Sequence, residues 1–219
     1  MARNREPVVV VGLGRFGRSI IDELLRTGTE VLAIDRDLSL VQRASSHIPN
    51  VIAADATDEQ SLRQAGAADF HRAVIAIGND QEASILATSV CVDLGIPDIW
   101  AKAQNPQHAR ILERIGAHHV VQPEHDMGER TAHLLRGRLT EYIEVAPGWV
   151  LARANVSKYF VGMTLRTSNI RGKHGVTVVG IRKAGSTDFT YADGYTTLEA
   201  GDEILVMGPP QAIEAFSEA

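Results

Sequence analysis

The stretch VVVVGLGRFGRSIIDELL, from Val8 to Leu25, decides the fold of the first half of the chain. An unbroken valine run predicts a buried strand, and the apolar residues after the glycines recur at helical spacing. Between the two, Gly12, Gly14 and Gly17 form the pattern G-x-G-x-x-G. In this pattern the first glycine permits a tight turn, the second lets a phosphate approach the backbone, and the third lets helix and strand pack closely. The stretch therefore predicts a strand, a turn and a helix whose free amides attract an anion.

Short apolar runs and helical patterns alternate from this stretch to about residue 138. Near-continuous apolar strands indicate a parallel sheet that is covered on both faces. We therefore predict an α/β fold, a Rossmann-like doubly wound parallel sheet. The predicted strands are residues 8–11, 30–35, 51–55, 73–78, 99–103 and 119–122. We also predict a helix that ends at Gly28 and a capping box formed by Thr57 and Gln60.

The pattern changes after the helical segment GERTAHLLRGRL, residues 128–139. An alternating run broken by Pro147 and Gly148 predicts a hairpin, and residues 174–185 and 202–208 predict further strands. Residues 210–216 predict a short final helix. We therefore expect residues 1–138 to form the nucleotide-binding domain and residues 139–219 to form a second, smaller α+β domain.

The composition excludes several classes of protein. With 44% hydrophobic and 22% charged residues the chain can bury a core, and a net charge of -5 argues against a nucleic-acid partner. The single cysteine, Cys91, lies in a helical run and is expected to be buried, which fits a reducing compartment. No run approaches the roughly 18 apolar residues that a membrane helix requires. We expect a cytoplasmic chain without direct membrane insertion, which leaves a membrane-embedded partner possible.

Asp35 ends the second predicted strand, 18 residues after Gly17. At this position a carboxylate accepts hydrogen bonds from both hydroxyls of an adenosine ribose, and it repels a 2′-phosphate. NADP is therefore disfavoured, although Arg36 beside it leaves that ligand open. This carboxylate does not separate ATP, ADP, AMP and NAD.

Arg15 lies in the first helical turn after the glycines, where a cation opposes the positive end of the helix dipole. We infer a phosphate within its reach. A ligand with more terminal charge than a pyrophosphate diester gains most from such a cation, which favours ATP or ADP over NAD. The alternative is a long side chain that extends into solvent.

Polar residues also lie at the carboxyl ends of the third, fourth and fifth predicted strands, at the sheet edge where doubly wound folds bind ligands. The group after strand three is placed to meet the adenine edge, and the groups after strands four and five are placed near phosphates. As alternatives, Thr57 and Asn79 act only as helix N-caps and Lys102 is a solvated lysine. The candidates are Asp55, Ala56, Thr57, Gly78, Asn79, Asp80 and Lys102.

Several segments together resemble the RCK domain (regulator of potassium conductance) of the KtrA/TrkA family. They are GLGRFG, AIDRD, AADATDEQSLRQAGA, AIGNDQEASILAT, AKAQNPQHARILERIGAHHVVQPEHDMGERTA and LEAGDEILVMGP. The resemblance covers nearly the whole chain. It implies a non-catalytic cytosolic gating subunit, a homo-oligomer built as an octameric ring of dimers beneath a membrane-embedded potassium-translocating subunit. It also implies ATP or ADP as the ligand, and in some members NAD or NADH.

The resemblance also implies roles for particular residues. Asp35 would bind ribose, Asp55 and Thr57 the adenine side, and Arg15 a γ-phosphate of its own or a neighbouring subunit's nucleotide. Glu124 matches an acidic position that helps to bind a divalent or monovalent cation between paired nucleotides; the alternative is a glutamate favoured by the helix dipole. The implied phosphate-binding loop is Gly12, Leu13, Gly14, Arg15, Phe16 and Gly17.

Some members of this family bind cyclic di-AMP in the C-terminal domain. The corresponding residues here are Asn169, Arg171 and Thr177. The chain departs from the family pattern at Asn169 and Thr177, where an aspartate and an asparagine are expected. The alternative is a packed dimer interface that leaves Arg171 exposed.

Two other functions compete with this interpretation. An NAD-dependent dehydrogenase needs an acid-base group facing the nicotinamide, and the chain has no Y-x-x-x-K motif and no recognisable acid-base pairing in its smaller domain. Regulation of a different cation transporter or exporter is a second possibility, because ion selectivity would be a property of another polypeptide.

Overall fold

The computed structural model describes residues 6–136 and 138–218. The chain forms two compact units, which divide between His125 and Asp126. In the first unit, six parallel strands lie in the order β3-β2-β1-β4-β5-β6. This order is that of a doubly wound sheet, so the predicted fold is confirmed. The strands are β1 (Val8–Val11), β2 (Val31–Asp35), β3 (Asn50–Ala53), β4 (Arg72–Ile75), β5 (Asp98–Lys102) and β6 (His119–Val121).

Helices cover both faces of this sheet. On β1, Val8 and Val10 belong to one apolar cluster and Val9 and Val11 to another, as expected for a strand buried on both sides. Cys91 is fully buried, and burial raises the pKa of its thiol to about 12. The helices are α1 (Arg15–Arg26), α2 (Leu38–Ala44), α3 (Glu59–Gln64), α4 (Gln81–Asp93), α5 (Pro106–Ile115) and α6 (Pro123–Arg136).

The helix termini agree with the predictions at one place and correct them at two. Gly28, at a φ of +78°, follows the end of α1 as expected. The capping box predicted at Thr57 is wrong, because Asp58 is the N-cap of α3 and accepts from the Ser61 amide at 2.9 Å. Asn79 is likewise not an N-cap, since Asp80 caps α4. In both cases the N-cap is an aspartate one residue later, whose negative charge also interacts favourably with the positive end of the helix dipole.

The second unit is an antiparallel sheet in the order β10-β9-β11-β8-β7, packed against short helices. The predicted hairpin, the two later strands and the final helix are confirmed. The two shortest helices are too brief to show a periodic pattern. The elements are β7 (Leu139–Ala146), β8 (Trp149–Asn155), α7 (Leu165–Ser168), α8 (Ile170–His174), β9 (Thr177–Arg182), β10 (Thr190–Tyr191), β11 (Glu203–Gly208) and α9 (Pro210–Glu218).

The division between the units falls inside α6, whereas the predicted domain boundary at residue 138 lies beyond the end of this helix. The later turns of α6 pack within the second unit: Leu134 joins its apolar core and His133 stacks on Tyr142 at 4.0 Å between ring centroids. This packing explains why those turns belong to the second unit. Among the residues that the structure describes, no helix has the length and apolar character needed to cross a membrane.

Candidate functional site

The three glycines of the first turn meet three different surroundings. A Cβ on Gly12, whose φ is +104°, would lie 3.0 Å from the carbonyl carbon of Ala76, and a Cβ on Gly17 would lie 1.9 Å from the Gly12 oxygen. Around Gly14 no atom lies within 4 Å of such a Cβ. Backbone geometry and packing therefore require the first and third glycines, whereas the second leaves the backbone open to a ligand.

No acidic side chain offsets the positive end of the helix dipole at the N-terminus of α1. Gly14 is its N-cap and has no side chain to bind the first amides, and the first turn contains no acidic residue. Arg18 fixes the loop beneath by donating from Nε to the Leu13 oxygen at 2.8 Å. A positive helix end without a capping acid, beside an open glycine, is a site suited to phosphate.

Asp35 holds the base of the glycine turn. Its Oδ2 accepts from the Leu13 amide at 2.6 Å and its Oδ1 accepts from the Asp37 amide at 2.8 Å. Each carboxylate oxygen has a second lone pair, so Asp35 still has the capacity to accept from ribose hydroxyls. The Leu13 amide is engaged by Asp35 and Leu13 is fully buried, so this residue shapes the loop from below.

A cleft of about 660 Å³ opens at the carboxyl ends of the strands. Its volume lies in the range of small-molecule sites, roughly 300 to 1,000 Å³. Three predicted residues do not line it: Leu13 and Gly17 pack beneath the turn, and Asp80 caps α4. The predicted residues that do line the cleft are Gly12, Gly14, Arg15, Phe16, Asp35, Arg36, Asp55, Ala56, Thr57, Gly78, Asn79, Lys102 and Glu124.

One wall of the cleft combines Asp55 with apolar side chains. The backbone amide and hydroxyl of Thr57 both donate to Asp55 Oδ1, and these bonds hold the pKa of Asp55 below its ordinary value. The sequence analysis missed Leu40 and Ala54, which also line the cleft. Leu40 could have been identified from the sequence, because it lies in the first turn of the helix that follows Asp35. Apolar residues beside an anchored carboxylate suit the face and edge of a purine.

Arg36 forms an ion pair with Asp80. Its guanidinium lies 3.1 Å from Asp80 Oδ2, although both side chains remain partly exposed. The Ala83 amide and then Arg36 hold the pKa of Asp80 below its ordinary value. Since Arg36 already has an anionic partner, the structure gives less support to a 2′-phosphate than the sequence alone left open.

Two cations border the end of the cleft that lies nearest the start of α1. Lys102 is only 8% exposed, so the solvated alternative is wrong, and its Nζ lies 2.6 Å from Glu124 Oε1. Glycine at position 78 leaves room for this ammonium, because a Cβ there would lie 3.1 Å from Nζ. The hydrogen bond from Lys102 lowers the pKa of Glu124, and the charge of Arg15 lowers it further. Arg15 itself is exposed at the rim.

Two other predicted sites are the cation site at Glu124 and the cyclic di-AMP site in the second unit. Within residues 6–136 and 138–218, no group of three or more His, Cys, Asp or Glu side chains is arranged to hold a metal, and Glu124 is paired with Lys102. In the second unit, Asn169 adopts a left-handed φ of 49° between α7 and α8, Arg171 is exposed, and Thr177 begins β9. A cation at Glu124 and cyclic di-AMP at these three residues both stay predictions.

Two known protein domains match this chain, one in its first part and one in its second. Residues 8–123 match the TrkA-N domain and residues 150–219 match the TrkA-C domain. The chain belongs to the KtrA/TrkA family. The Ktr system potassium uptake protein A of Vibrio alginolyticus is 37% identical over 201 residues, with 91% of each chain covered. The Ktr system potassium uptake protein C of Bacillus subtilis is 33% identical over 98% of this chain and 97% of that protein.

Solved structures related to this KtrA/TrkA member share the fold. The GsuK RCK domain matches with a TM-score of 0.68 at 19% identity over 97% of this chain, which spans 47% of that chain. GsuK bound to ADP matches 59% of this chain and 34% of its own at 30% identity and a TM-score of 0.52. The AMP-bound Kef C-terminal domain of Shewanella denitrificans matches 59% of this chain and 77% of its own at 25% identity and a TM-score of 0.50.

Proposed function

We propose that this KtrA/TrkA family member is a nucleotide-binding gating subunit of a membrane potassium uptake system. The observation that carries the proposal is the cleft itself. It brings the uncapped start of α1, the carboxylate of Asp35 and the cations Arg15 and Lys102 to one edge of the sheet. Relatives that are 37% and 33% identical over most of their length are Ktr system potassium uptake proteins.

The proposed ligand is an adenine nucleotide with a free terminal phosphate, ATP or ADP. The cleft offers its phosphate end two cations and a helix start, which suits more negative charge than the pyrophosphate of NAD carries. The Arg36–Asp80 pair and the carboxylate of Asp35 argue against a 2′-phosphate. GsuK is solved with ADP and also with NAD, which supports an adenine nucleotide without separating the two. NAD or NADH is the alternative ligand.

The proposed mechanism is a shift between conformations, without catalysis. A nucleotide biases the membrane partner only if it binds one conformation of the assembly more tightly than the other. We propose that copies of the chain assemble as a ring of dimers on the cytoplasmic face of the membrane. ATP and ADP must then differ in their affinity for the two ring conformations, and Arg15 is the residue placed to sense the additional phosphate.

The first test measures ligand binding and assembly of the purified chain. Thermal shift against ATP, ADP, NADH and cyclic di-AMP should give the largest stabilisation with ATP or ADP. Mass determination in solution should give a multiple of 23.7 kDa that changes little with the ligand. Absence of affinity for any adenosine compound, or turnover of a hydride substrate, would reject the proposal.

The second test identifies the partner. The tagged chain, purified from detergent-solubilised membranes of its own organism, should carry a potassium-translocating membrane protein with it. Recovery of an antiporter or exporter of another cation would support the alternative carrier and would leave the nucleotide-binding part of the proposal intact.

A further inference from the structure

The Lys102–Glu124 ion pair is strongly asymmetric. The side chain of Lys102 is 9% exposed and that of Glu124 is 70% exposed, with 2.6 Å between Nζ and Oε1. Lys102 ends β5, inside the sheet, whereas Glu124 lies in the first turn of α6. The cation is therefore fixed in the interior, and the anion reaches it from the surface.

The ammonium of Lys102 lies at the phosphate end of the cleft. Its Nζ is 5.6 Å from the ring centroid of Phe16, the second residue of α1, and it occupies the space left by the missing side chain of Gly78. Glu124 and Arg15 line the same cleft. A buried ammonium requires an anionic partner, and Glu124 provides it.

We propose that a ligand phosphate and Glu124 compete for Lys102, so that occupancy of the cleft releases Glu124 and the first turn of α6. Because Glu124 is largely exposed, its carboxylate can return to water at little cost, whereas Lys102 remains buried. A phosphate and a carboxylate at one ammonium also repel each other. The inference rests on the proposed function, since it assumes a ligand with a phosphate in this cleft.

The competition predicts that removing the carboxylate tightens ligand binding. Glu124→Gln keeps the size of the side chain and should raise the affinity for ADP by about twofold to fivefold, as expected for loss of one partly exposed ion pair. Lys102→Met should lower it. Titration calorimetry in EDTA, without divalent cations, measures both. Glu113→Gln, an equal charge change at an exposed position on α5, should leave the affinity unchanged.

A double variant separates competition for Lys102 from simple repulsion between charges. In the Lys102→Met background, Glu124→Gln should raise the affinity for ADP by clearly less than in the unmodified chain, because no ammonium is left to compete for and only charge repulsion remains. If the gain persists undiminished, repulsion alone explains it and the competition is rejected. If Glu124→Gln weakens ADP binding in EDTA, or leaves it unchanged, Glu124 does not oppose the ligand and the inference is also wrong.

Hydrogen exchange tests the release of α6. Addition of ADP should accelerate amide exchange over residues 126–129 of the unmodified chain, the first amides of α6 that have intrahelical acceptors, and Glu124→Gln should show fast exchange there with or without ADP. Equal protection of these amides before and after ADP binding would contradict the release. Failure of the unmodified chain to bind ADP would reject the proposed function, whereas ADP binding without these effects would reject only the competition.

Discussion

Two carboxylates, one in each unit, hold a loop in the same way but differ in what remains free. Asp202 is fully buried and accepts from the Ala184 and Glu199 amides and from Lys183 Nζ at 2.9 Å. Asp35 also accepts from two amides, but it is only partly buried, and no salt bridge to it occurs among the described residues. The Asp202 carboxylate is buried with its three donors, whereas the Asp35 carboxylate retains acceptor capacity that faces a cleft.

The largest expected effect concerns the scaffold that positions Asp35. Gly17→Ala places a Cβ 1.9 Å from the Gly12 oxygen, so α1 must move away from β1. We expect the first unit to lose about 4 kcal/mol of unfolding free energy. The two tryptophans, Trp100 and Trp149, lie in different units, so denaturation followed by fluorescence in a Trp149→Phe background reports on the first unit alone.

Gly14→Ala is the matched control for that substitution. No atom lies within 4 Å of the added Cβ, so the loss of unfolding free energy should stay below about 1 kcal/mol. The same methyl group projects into the space proposed for phosphate, and the affinity for ADP should fall. Equal destabilisation by both substitutions would show that the glycine spacing serves packing only.

The second prediction concerns Asp202, the buried carboxylate with three donors. Asp202→Asn should lower the unfolding free energy of the second unit by about 3 kcal/mol, because the interior loses a charged acceptor with three donors. Fluorescence of Trp149 in a Trp100→Phe background measures it. Glu199→Gln, at a residue that is 64% exposed and also contacts Lys183, should change it by less than about 1 kcal/mol. The affinity for ADP should stay unchanged in both variants.

The same residue predicts a pH dependence. Burial raises the pKa of Asp202, but the hydrogen bonds from Lys183 and from the Glu199 and Ala184 amides outweigh burial and hold the pKa below its ordinary value. A lowered pKa in the folded state gives stability that is complete above the unfolded value of about 3.9 and is lost as the pH falls through the folded value. The difference between the unmodified chain and Asp202→Asn should therefore be constant above about pH 5 and shrink in acid. A difference that grows in acid would contradict this assignment.

The next prediction concerns Asp35, the carboxylate that retains acceptor capacity. Asp35→Ala should weaken ATP and ADP equally, by roughly tenfold to a hundredfold, since hydrogen bonds to a charged acceptor contribute about 1.5 to 3 kcal/mol. Titration calorimetry measures the two affinities. Asp22→Asn removes the same charge from an exposed position on α1 and should have no effect. Unchanged nucleotide affinity in Asp35→Ala would mean that the ligand lies elsewhere.

The sequence was sufficient for the parallel sheet and most of the cleft, because both depend on local patterns. Near-continuous apolar runs, the glycine spacing and an acid at a strand end are each visible within a few residues. The Lys102–Glu124 pair was not predictable, since its partners are 22 residues apart and meet only when β5 and α6 are in place. The role of Asp202 was missed for a related reason: its cation, Lys183, comes from a different loop, 19 residues away.

The smallest expected effect separates ATP from ADP. Arg15→Ala should lower the affinity for ATP by roughly fivefold and that for ADP by less, as expected for an exposed cation that contributes about 1 kcal/mol to one phosphate. Arg26→Ala removes the same charge from the last turn of the same helix, roughly 16 Å away and beyond the screening length of about 8 Å at physiological salt. It should change neither affinity. Equal losses for ATP and ADP in Arg15→Ala would show that Arg15 only adds positive charge to the cleft, and the terminal phosphate would then be sensed by another group.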